Sequence, residues 1–299
     1  MEVPYASPPK SPIERTCGRF SNIVRPIACF EPPRAGRRAV ALLGMPDDTG
    51  VRLNNGRPGA KEGPSAIRRV LSKLGVEGPR FPWPVVYDAG DVLPAGDDLD
   101  ETHRRVSEAS AALVRAGLFP IGLGGGHDLT FAFVRGVIEA LPQGDKPLAG
   151  AYLDPHLDVR ETTGSGMPFR RLVEGCGVRS LALAGFDPVA NTAAHLDWFL
   201  EHGGTLVDIQ APPPEAPFFA SLDLDAIDAA HAPGVSAMNP CGLTPRQAIA
   251  WARRMAASPR VRCFDVMELS PPNDDRDRTA RLAAYLVLSI IECLESQRP

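Results

Sequence analysis

The chain has 299 residues, of which 44% are hydrophobic and 23% are charged, and its formal net charge at pH 7 is −4. A chain of this length can bury a full hydrophobic core, and the negative charge argues against a nucleic-acid surface as its main function. The sequence contains no apolar run of membrane-spanning length and no signal-peptide pattern, so we expect a cytoplasmic protein.

The predicted elements begin after an N-terminal arm, residues 1–35, which is rich in proline and shows no sustained hydrophobic period. From residue 36 onward, short apolar segments alternate with segments of helical character. We predict strands at residues 39–44, 84–88, 118–123, 150–154, 180–185, 205–209, 218–223 and 261–266. We predict helices at residues 63–74, 99–116, 128–141, 190–202, 245–257 and 277–296. Apolar strands that alternate with helices are typical of a parallel sheet covered on both faces, so we expect a single α/β domain over residues 36–299.

The cysteines are scattered without a CxxC pair, which favours neither a disulfide framework nor a thiolate zinc site. They are Cys17, Cys29, Cys176, Cys241, Cys263 and Cys293. Cys263 lies in an apolar run and is predicted to be a core residue, and Cys293 is predicted to lie on the C-terminal helix.

Three of the predicted strands end in clusters of glycine, aspartate and histidine. The segment 118–123 runs into GGGHD, which contains His127, the segment 150–154 continues into DPHLD, and the segment 218–223 continues into DLD. In DPHLD, alternate residues of an extended backbone point the same way, so Asp154, His156 and Asp158 share one face. Function in parallel sheets gathers at the carboxyl ends of the strands, so we expect these clusters to form one site.

Together the clusters offer two imidazoles and four carboxylates, namely His127, Asp154, His156, Asp158, Asp223 and Asp225. Two divalent cations would balance the four negative charges. A mixed imidazole and carboxylate set without thiolate favours a hard or borderline ion such as Mn²⁺ over structural Zn²⁺. A pair of such ions can acidify a bound water to a hydroxide nucleophile. Each motif also has an ordinary alternative, such as a glycine-rich turn before a helix or a solvated Asp-x-Asp turn, but their joint occurrence favours metal.

These motifs resemble those of the ureohydrolases, the family of arginase, agmatinase and formimidoylglutamase. The resemblance covers about residues 38–294 and also rests on the stretches GVRLNNGRPGAKEGPSAIR (50–68) and FDVMELSPPNDDRDRTARLAA (264–284). It implies a three-layer α/β/α fold with an eight-stranded parallel sheet and two Mn²⁺ per subunit. It also implies a small-molecule amidine or guanidine substrate and a homo-oligomer, a trimer or a hexamer.

Carried over residue by residue, the resemblance implies that His127 and Asp158 bind one ion and that His156 and Asp225 bind the other. It also implies that Asp154 and Asp223 are ligands shared by both ions. Glu268 matches the acid that holds the amidine or guanidine end of the substrate, although a glutamate that only caps a loop is the alternative. The resemblance further implies that a metal-bound hydroxide attacks the substrate carbon and that Asp158 relays its proton to the leaving amine.

Two departures from the family pattern touch no ligand atom: Pro155 stands where the family has alanine, and Ala229 where it has proline. The loop at residues 159–171, VRETTGSGMPFRR, lacks the histidine of arginases and agmatinases. It resembles the loop of formimidoylglutamases, which have an arginine near the position of Arg160. This arginine is either an anchor for a substrate carboxylate or part of a salt bridge that stabilises the loop.

The resulting hypothesis is a hydrolase that converts N-formimidoyl-L-glutamate and water into L-glutamate and formamide, a step of histidine breakdown. A first alternative keeps the site but releases urea from a guanidino compound such as agmatine or guanidinobutyrate. A second alternative is a non-catalytic metal-binding homologue, which intact ligand positions disfavour. We expect His103, His195 and His202 to be surface groups on helices, and Ser221 to have a supporting role.

Overall fold

The computed structural model describes residues 1–13, 18–32, 38–75 and 83–295. All eight predicted strands are present, together with two short strands in the N-terminal arm. The strands are β1 (Ala6–Ser7), β2 (Val24–Pro26), β3 (Ala39–Gly44), β4 (Val85–Val92), β5 (Phe119–Leu123), β6 (Ala149–Leu153), β7 (Leu181–Ala184), β8 (Gly204–Val207), β9 (Phe218–Asp223) and β10 (Val261–Met267).

The six predicted helices are also present, and two short helices were not predicted. The helices are α1 (Thr49–Leu53), α2 (Gly63–Leu71), α3 (Leu99–Arg115), α4 (Leu129–Ala140), α5 (Pro168–Cys176), α6 (Ala193–Glu201), α7 (Pro245–Ala256) and α8 (Arg278–Glu295). The unpredicted helices are α1 and α5. Helix α1 has only five residues, too few to show an apolar period, whereas α5 has nine, as many as α2 and α6, but begins inside the segment 159–171 that the sequence analysis interprets as a loop. Helix α5 nevertheless carries two ordinary boundary signals, proline at its start and the left-handed Gly177, φ 74°, just after its end.

The strand order explains why the three motifs meet. The sheet has the order β1-β4-β3-β5-β10-β9-β6-β7-β8, and β2 pairs with β4. Strands β5, β10, β9 and β6 are therefore consecutive neighbours, and they run parallel. Their carboxyl ends meet at one edge near the centre of the sheet, the usual location of a ligand site in such folds.

The core lies in two layers, one on each face of the sheet. Alternate residues of β3 belong to different layers: Val40 and Leu42 pack with residues of α2, α7 and α8, whereas Ala41 and Leu43 pack with residues of α3 and α4. The three-layer α/β/α prediction is confirmed. Cys263 is buried as predicted, and no disulfide joins the cysteines of the described residues. Cys17 lies outside the described residues.

The N-terminal arm takes part in the sheet, which the sequence did not indicate. Strand β1 pairs antiparallel with β4, and β2 pairs in parallel with β4, so the sheet has ten strands instead of eight. Both segments are too short and too rich in proline to show strand alternation. Among the described residues, no helix has the length and apolar character needed to span a bilayer.

Candidate metal centre

The first candidate ligand, His127, lies in the turn between β5 and α4. Three glycines precede it, and Gly125 passes so close to a neighbouring loop that a Cβ there would lie 1.9 Å from the carbonyl oxygen of Asp47. Only glycine fits this approach. The turn is also tied to β10, because the amide of Gly124 donates to the carbonyl of Val266 at 2.9 Å. These contacts place the His127 imidazole at the centre of the sheet edge.

His127 Nδ1 lies among three carboxylates. It is 3.1 Å from Asp154 Oδ2, 3.0 Å from Asp158 Oδ2 and 3.0 Å from Asp223 Oδ2. In spite of these short distances, His127 Nδ1 and Asp154 Oδ2 make no well-aligned hydrogen bond and are buried without a partner. Their electron pairs converge on a common point, as ligands do around a cation.

A second group shares Asp154 with the first. His156 Nδ1 lies 3.2 Å from Asp154 Oδ1 and 3.2 Å from Asp225 Oδ2, and Asp225 Oδ1 is buried without a partner. Each oxygen of Asp154 thus faces one histidine. Asp223 belongs to the first group by these distances, and its other oxygen accepts the amide hydrogen of Asp225, a residue of the second group, at 2.8 Å.

The charges of these buried carboxylates are poorly balanced by the protein alone. Burial and the charge of Asp225 raise the pKa of Asp223 well above its usual range. Burial also raises the pKa of Asp225 to about 6, and burial together with the charge of Asp154 raises the pKa of Asp158. Burial opposes ionisation of Asp154 as well, but the neighbouring imidazoles of His127 and His156 outweigh it and lower the pKa of Asp154. Such a cluster favours bound cations.

The residues fit a pair of Mn²⁺ ions in their chemistry. Each of the two groups offers imidazole nitrogen and carboxylate oxygen atoms that lie within 4.8 Å of one another. No thiolate is among them, which is the donor chemistry of a hard or borderline divalent ion. The orphaned atoms described above are the donors that such ions would satisfy.

A hydrogen-bond chain behind His127 selects its tautomer. Ser221 Oγ lies 2.5 Å from Asp265 Oδ1 and 3.0 Å from His127 Nε2. Since a carboxylate can only accept, the hydroxyl donates to Asp265, and we assign the hydrogen on His127 to Nε2. The electron pair of Nδ1 is then free to face the carboxylates, an orientation that such outer partners commonly enforce.

Sequence reasoning missed Asp265 and underrated Ser221. Asp265 is fully buried in β10 and lies beside Ser221 of β9 in the strand register. The available signal was an aspartate within the otherwise apolar run VRCFDVM, since a buried carboxylate requires a partner.

The prediction that His103 is a surface group is wrong. Its side chain is buried, and its Nε2 lies 2.8 Å from Asp128 Oδ2. The reason is that α3 packs closely against α4, and the buried carboxylate that follows His127 in the chain needs a partner. His202 is exposed as predicted, and His195 is half-buried.

Glu268 follows β10 and reaches the same centre. Its backbone has φ 68°, and that of Asp158 has φ 49°, conformations that side chains rarely adopt and that cluster at functional sites. Glu268 Oε1 accepts the backbone amide hydrogen of His127 at 2.8 Å, which fits the loop-capping alternative. Glu268 Oε2, however, is buried without a partner. Burial and the charge of Asp223 raise the pKa of Glu268, so a cationic ligand would stabilise its charged form.

A cavity of about 320 Å³ opens above these groups. Apart from the candidate ligands, its wall includes Glu268, Arg160 and residues of the loops at 54–57, 165 and 236–237, among them Arg57. Arg160 is exposed at the rim, where Nη1 donates to Asn54 Oδ1 at 2.8 Å. Arg170 is not part of the wall, because it pairs with Glu174 and stacks on Trp198.

Comparison with known proteins agrees with this arrangement. The sequence pattern of the arginase family matches residues 38–292. The formimidoylglutamase of Aromatoleum aromaticum is 37% identical to this chain over 90% of it and 86% of the relative, and that of Geobacillus kaustophilus is 34% identical over 89% and 87%. The crystal structure of Trypanosoma cruzi formiminoglutamase with Mn²⁺ superposes with a TM-score of 0.77 at 27% identity, covering 88% of this chain and 95% of that one.

A proclavaminate amidino hydrolase from Streptomyces clavuligerus is also similar, with a TM-score of 0.77 and 26% identity over 97% of this chain and 98% of that one. The match therefore extends over almost the whole length of several relatives. On the family pattern and these similarities, the chain belongs to the arginase family.

Proposed function

We propose that this protein hydrolyses N-formimidoyl-L-glutamate to L-glutamate and formamide. The observation that carries the proposal is the cavity itself, which places the unpartnered carboxylate oxygen of Glu268 beside the two ligand groups and the guanidinium of Arg160 at the rim. A substrate with an amidine at one end and carboxylates at the other matches this polarity. The names of the relatives at 34–37% identity support the same reaction.

Glu268 recognises the amidine end. Its Oε1 is fixed by the amide of His127, so Oε2 faces the cavity in one orientation. A planar amidinium presents two N–H groups, for which a carboxylate is the natural two-pronged acceptor. Glu268 thereby holds the formimidoyl carbon next to the two ligand groups.

Arg160 recognises a carboxylate at the other end. Its bond to Asn54 uses one guanidinium nitrogen and leaves further N–H donors for a bidentate contact. Agmatine carries positive charge at both ends, so a rim arginine would repel it. This selects an acidic amidine over a dicationic guanidine.

In this proposal, two Mn²⁺ ions per subunit would be held by His127, Asp154, His156, Asp158, Asp223 and Asp225. Asp154 faces both groups, and the resemblance to the family implies that Asp223 is shared as well. When bound, these ions lower the pKa of a water molecule and so supply the hydroxide nucleophile. The role of the protein is to fix the ligands through loop and strand contacts and to orient the substrate with Glu268 and Arg160.

Asp158 moves the proton. Its side chain is only 12% exposed and lines the cavity, within reach of both the nucleophile and the leaving group. Asp158 accepts the proton that the attacking oxygen loses and delivers it to the substituted nitrogen as the C–N bond breaks. A new C–O bond forms, and formamide and the free amine of glutamate leave.

The domain bounds, cellular compartment and oligomeric state of the enzyme are proposed from the sequence and its resemblance to the family. The proposal places a single catalytic domain at residues 36–299, preceded by the arm at 1–35. It also places the protein in the cytoplasm as a homo-oligomer, a trimer or a hexamer, with no nucleic-acid or membrane partner.

The test is a product assay on protein reconstituted with Mn²⁺, with N-formimidoyl-L-glutamate, agmatine, arginine and guanidinobutyrate as parallel substrates. Formamide and glutamate from the first substrate alone are the expected result. Urea from agmatine would be compatible with the metal centre but would refute the assignment of Arg160. Urea from arginine or guanidinobutyrate, which carry a carboxylate, would be compatible with both but would refute the proposed substrate. No product from any substrate, with two ions bound, would favour a non-catalytic homologue.

A further inference from the structure

The segment 154–158 carries three of the proposed ligands without forming a helix or a strand. Its first residue is anchored to the sheet, because the amide of Asp154 donates to the carbonyl of Ala184 at 3.1 Å. Its last residue is anchored to α5, because the carbonyl of Asp158 accepts the amide hydrogen of Phe169 at 3.2 Å. His156 lies between the anchors with 27% of its side chain exposed, so packing alone does not determine its position.

The side-chain amide of Asn191 bonds to the backbone on both sides of His156. Its Nδ2 donates to the carbonyl of Pro155 at 2.8 Å, and its Oδ1 accepts the amide hydrogen of Leu157 at 2.9 Å. The same Nδ2 also donates to the carbonyl of Asp187 at 2.8 Å. Asn191 thus links the ligand segment to the turn that precedes α6.

One backbone contact runs parallel to part of this link, because the amide of Asp187 also donates to the carbonyl of Pro155 at 3.0 Å. Among the described residues, the bond from the amide of Leu157 to Asn191 Oδ1 has no such duplicate. The hydroxyl of Tyr152 donates to the carbonyl of Leu157 at 3.0 Å, and the amide of His156 donates to Asp154 Oδ1 at 2.7 Å. Both of these partners come from β6 or its immediate end. In the described part of the chain, Asn191 is the side chain that ties the middle of the segment to a different element of the fold.

We propose that Asn191 is a positioning residue for the ligand group of His156, Asp154 and Asp225. This inference rests on the metal pair of the proposed function. The group around His127 depends less on Asn191, because His127 lies on another loop and is fixed by Glu268 and Ser221. Its two ligands on the segment, Asp154 and Asp158, have the backbone anchors to Ala184 and Phe169 described above. Loss of Asn191 therefore affects the two ions unequally.

The experiment titrates metal-free protein with Mn²⁺ and counts free ions by electron paramagnetic resonance. We expect two ions on the wild-type protein. For Asn191→Ala we expect one ion with affinity within about threefold of wild type and the other weakened about 10- to 100-fold, the usual effect of losing an outer partner of a ligand. Asn191→Asp keeps an acceptor for Leu157 and loses the donor to Pro155, whose carbonyl still accepts the amide hydrogen of Asp187, so it should show a smaller loss at the same ion. It serves if the alanine variant does not fold.

Thr192→Ala is the matched control. Thr192 caps the N-terminus of α6 through the amide of His195 at 3.3 Å, so its loss disturbs the same helix end without touching the segment. Unchanged affinity for both ions in this control supports the inference. Unchanged affinity for both ions in Asn191→Ala, or equal weakening of both, would overturn the inference while leaving the proposed function intact. A wild-type protein that does not bind two ions would overturn the metal pair and the inference together.

Discussion

Replacing Glu268 by glutamine separates recognition of the amidine from folding of the loop. Glutamine keeps a carbonyl oxygen that can accept the amide hydrogen of His127, a bond of 2.8 Å in the structure. It removes the negative charge from the position of Oε2, which is buried without a partner. The variant is therefore expected to fold and to bind the transition state less tightly.

The magnitude follows from the hydrogen bonds that lose their charge. A bond to a charged group contributes about 1.5–3 kcal/mol and a neutral one about 0.5–1.5 kcal/mol, so a bond to the remaining carbonyl oxygen loses about 1–1.5 kcal/mol. The amide nitrogen at the position of Oε2 can only donate, so the second bond is lost, at about 1.5–3 kcal/mol. The sum of about 2.5–4.5 kcal/mol corresponds to a fall of about 70- to 2,000-fold in kcat/KM.

The assay is steady-state release of formamide by the Mn²⁺-loaded variant, with bound Mn²⁺ measured on the same sample. Glu62→Gln is the control, because Glu62 is an exposed glutamate just before α2 and outside the cavity wall. A kcat/KM within about threefold of wild type for Glu268→Gln, at full metal content, would refute the role of Glu268 and favour a glutamate that only caps the loop.

Further outcomes are expected at the rim and in the metal centre. Arg160→Gln should lower kcat/KM for N-formimidoyl-L-glutamate about 10- to 150-fold, since it removes a charged bond to carboxylate, and should leave bound Mn²⁺ unchanged; steady-state kinetics with metal analysis checks this. Asp223→Ala should reduce activity more than about 100-fold and lower the number of bound ions, as measured by elemental analysis, because a ligand contributes more than an outer partner. Ser221→Ala should weaken Mn²⁺ binding about 10- to 100-fold through the lost bond to the histidine ring, whereas unchanged calorimetric affinity would show that the tautomer needs no such support. Because burial raises the pKa of Asp225 to about 6, protons compete with the metal below that pH, and Mn²⁺ affinity should fall between about pH 7 and pH 5; an affinity that is flat over this range would contradict it.

The alternation of apolar segments along the chain was sufficient to predict the parallel sheet and the six helices α2, α3, α4, α6, α7 and α8. Each of these elements buries an apolar face, and that requirement leaves a period in the sequence. The motifs at the ends of β5, β6 and β9 could likewise be assigned to one site, because parallel strands present their carboxyl ends at a common edge. Helix α1 and the two arm strands are too short to show such a period, and α5 begins inside a segment whose motif indicated a loop.

Only the tertiary structure determined which groups support the site. Strand order places Asp265 beside Ser221, and helix packing buries His103 against Asp128, although these partners are 44 and 25 residues apart in the chain. The same is true of Asn191, which bonds to residues 34 and 36 positions earlier. The donor chemistry of the candidate ligands is already visible in the sequence, since it depends on residue type and local spacing. The tertiary structure decided the partners of those ligands, because a hydrogen bond between distant segments depends on how the chain folds and leaves no local pattern.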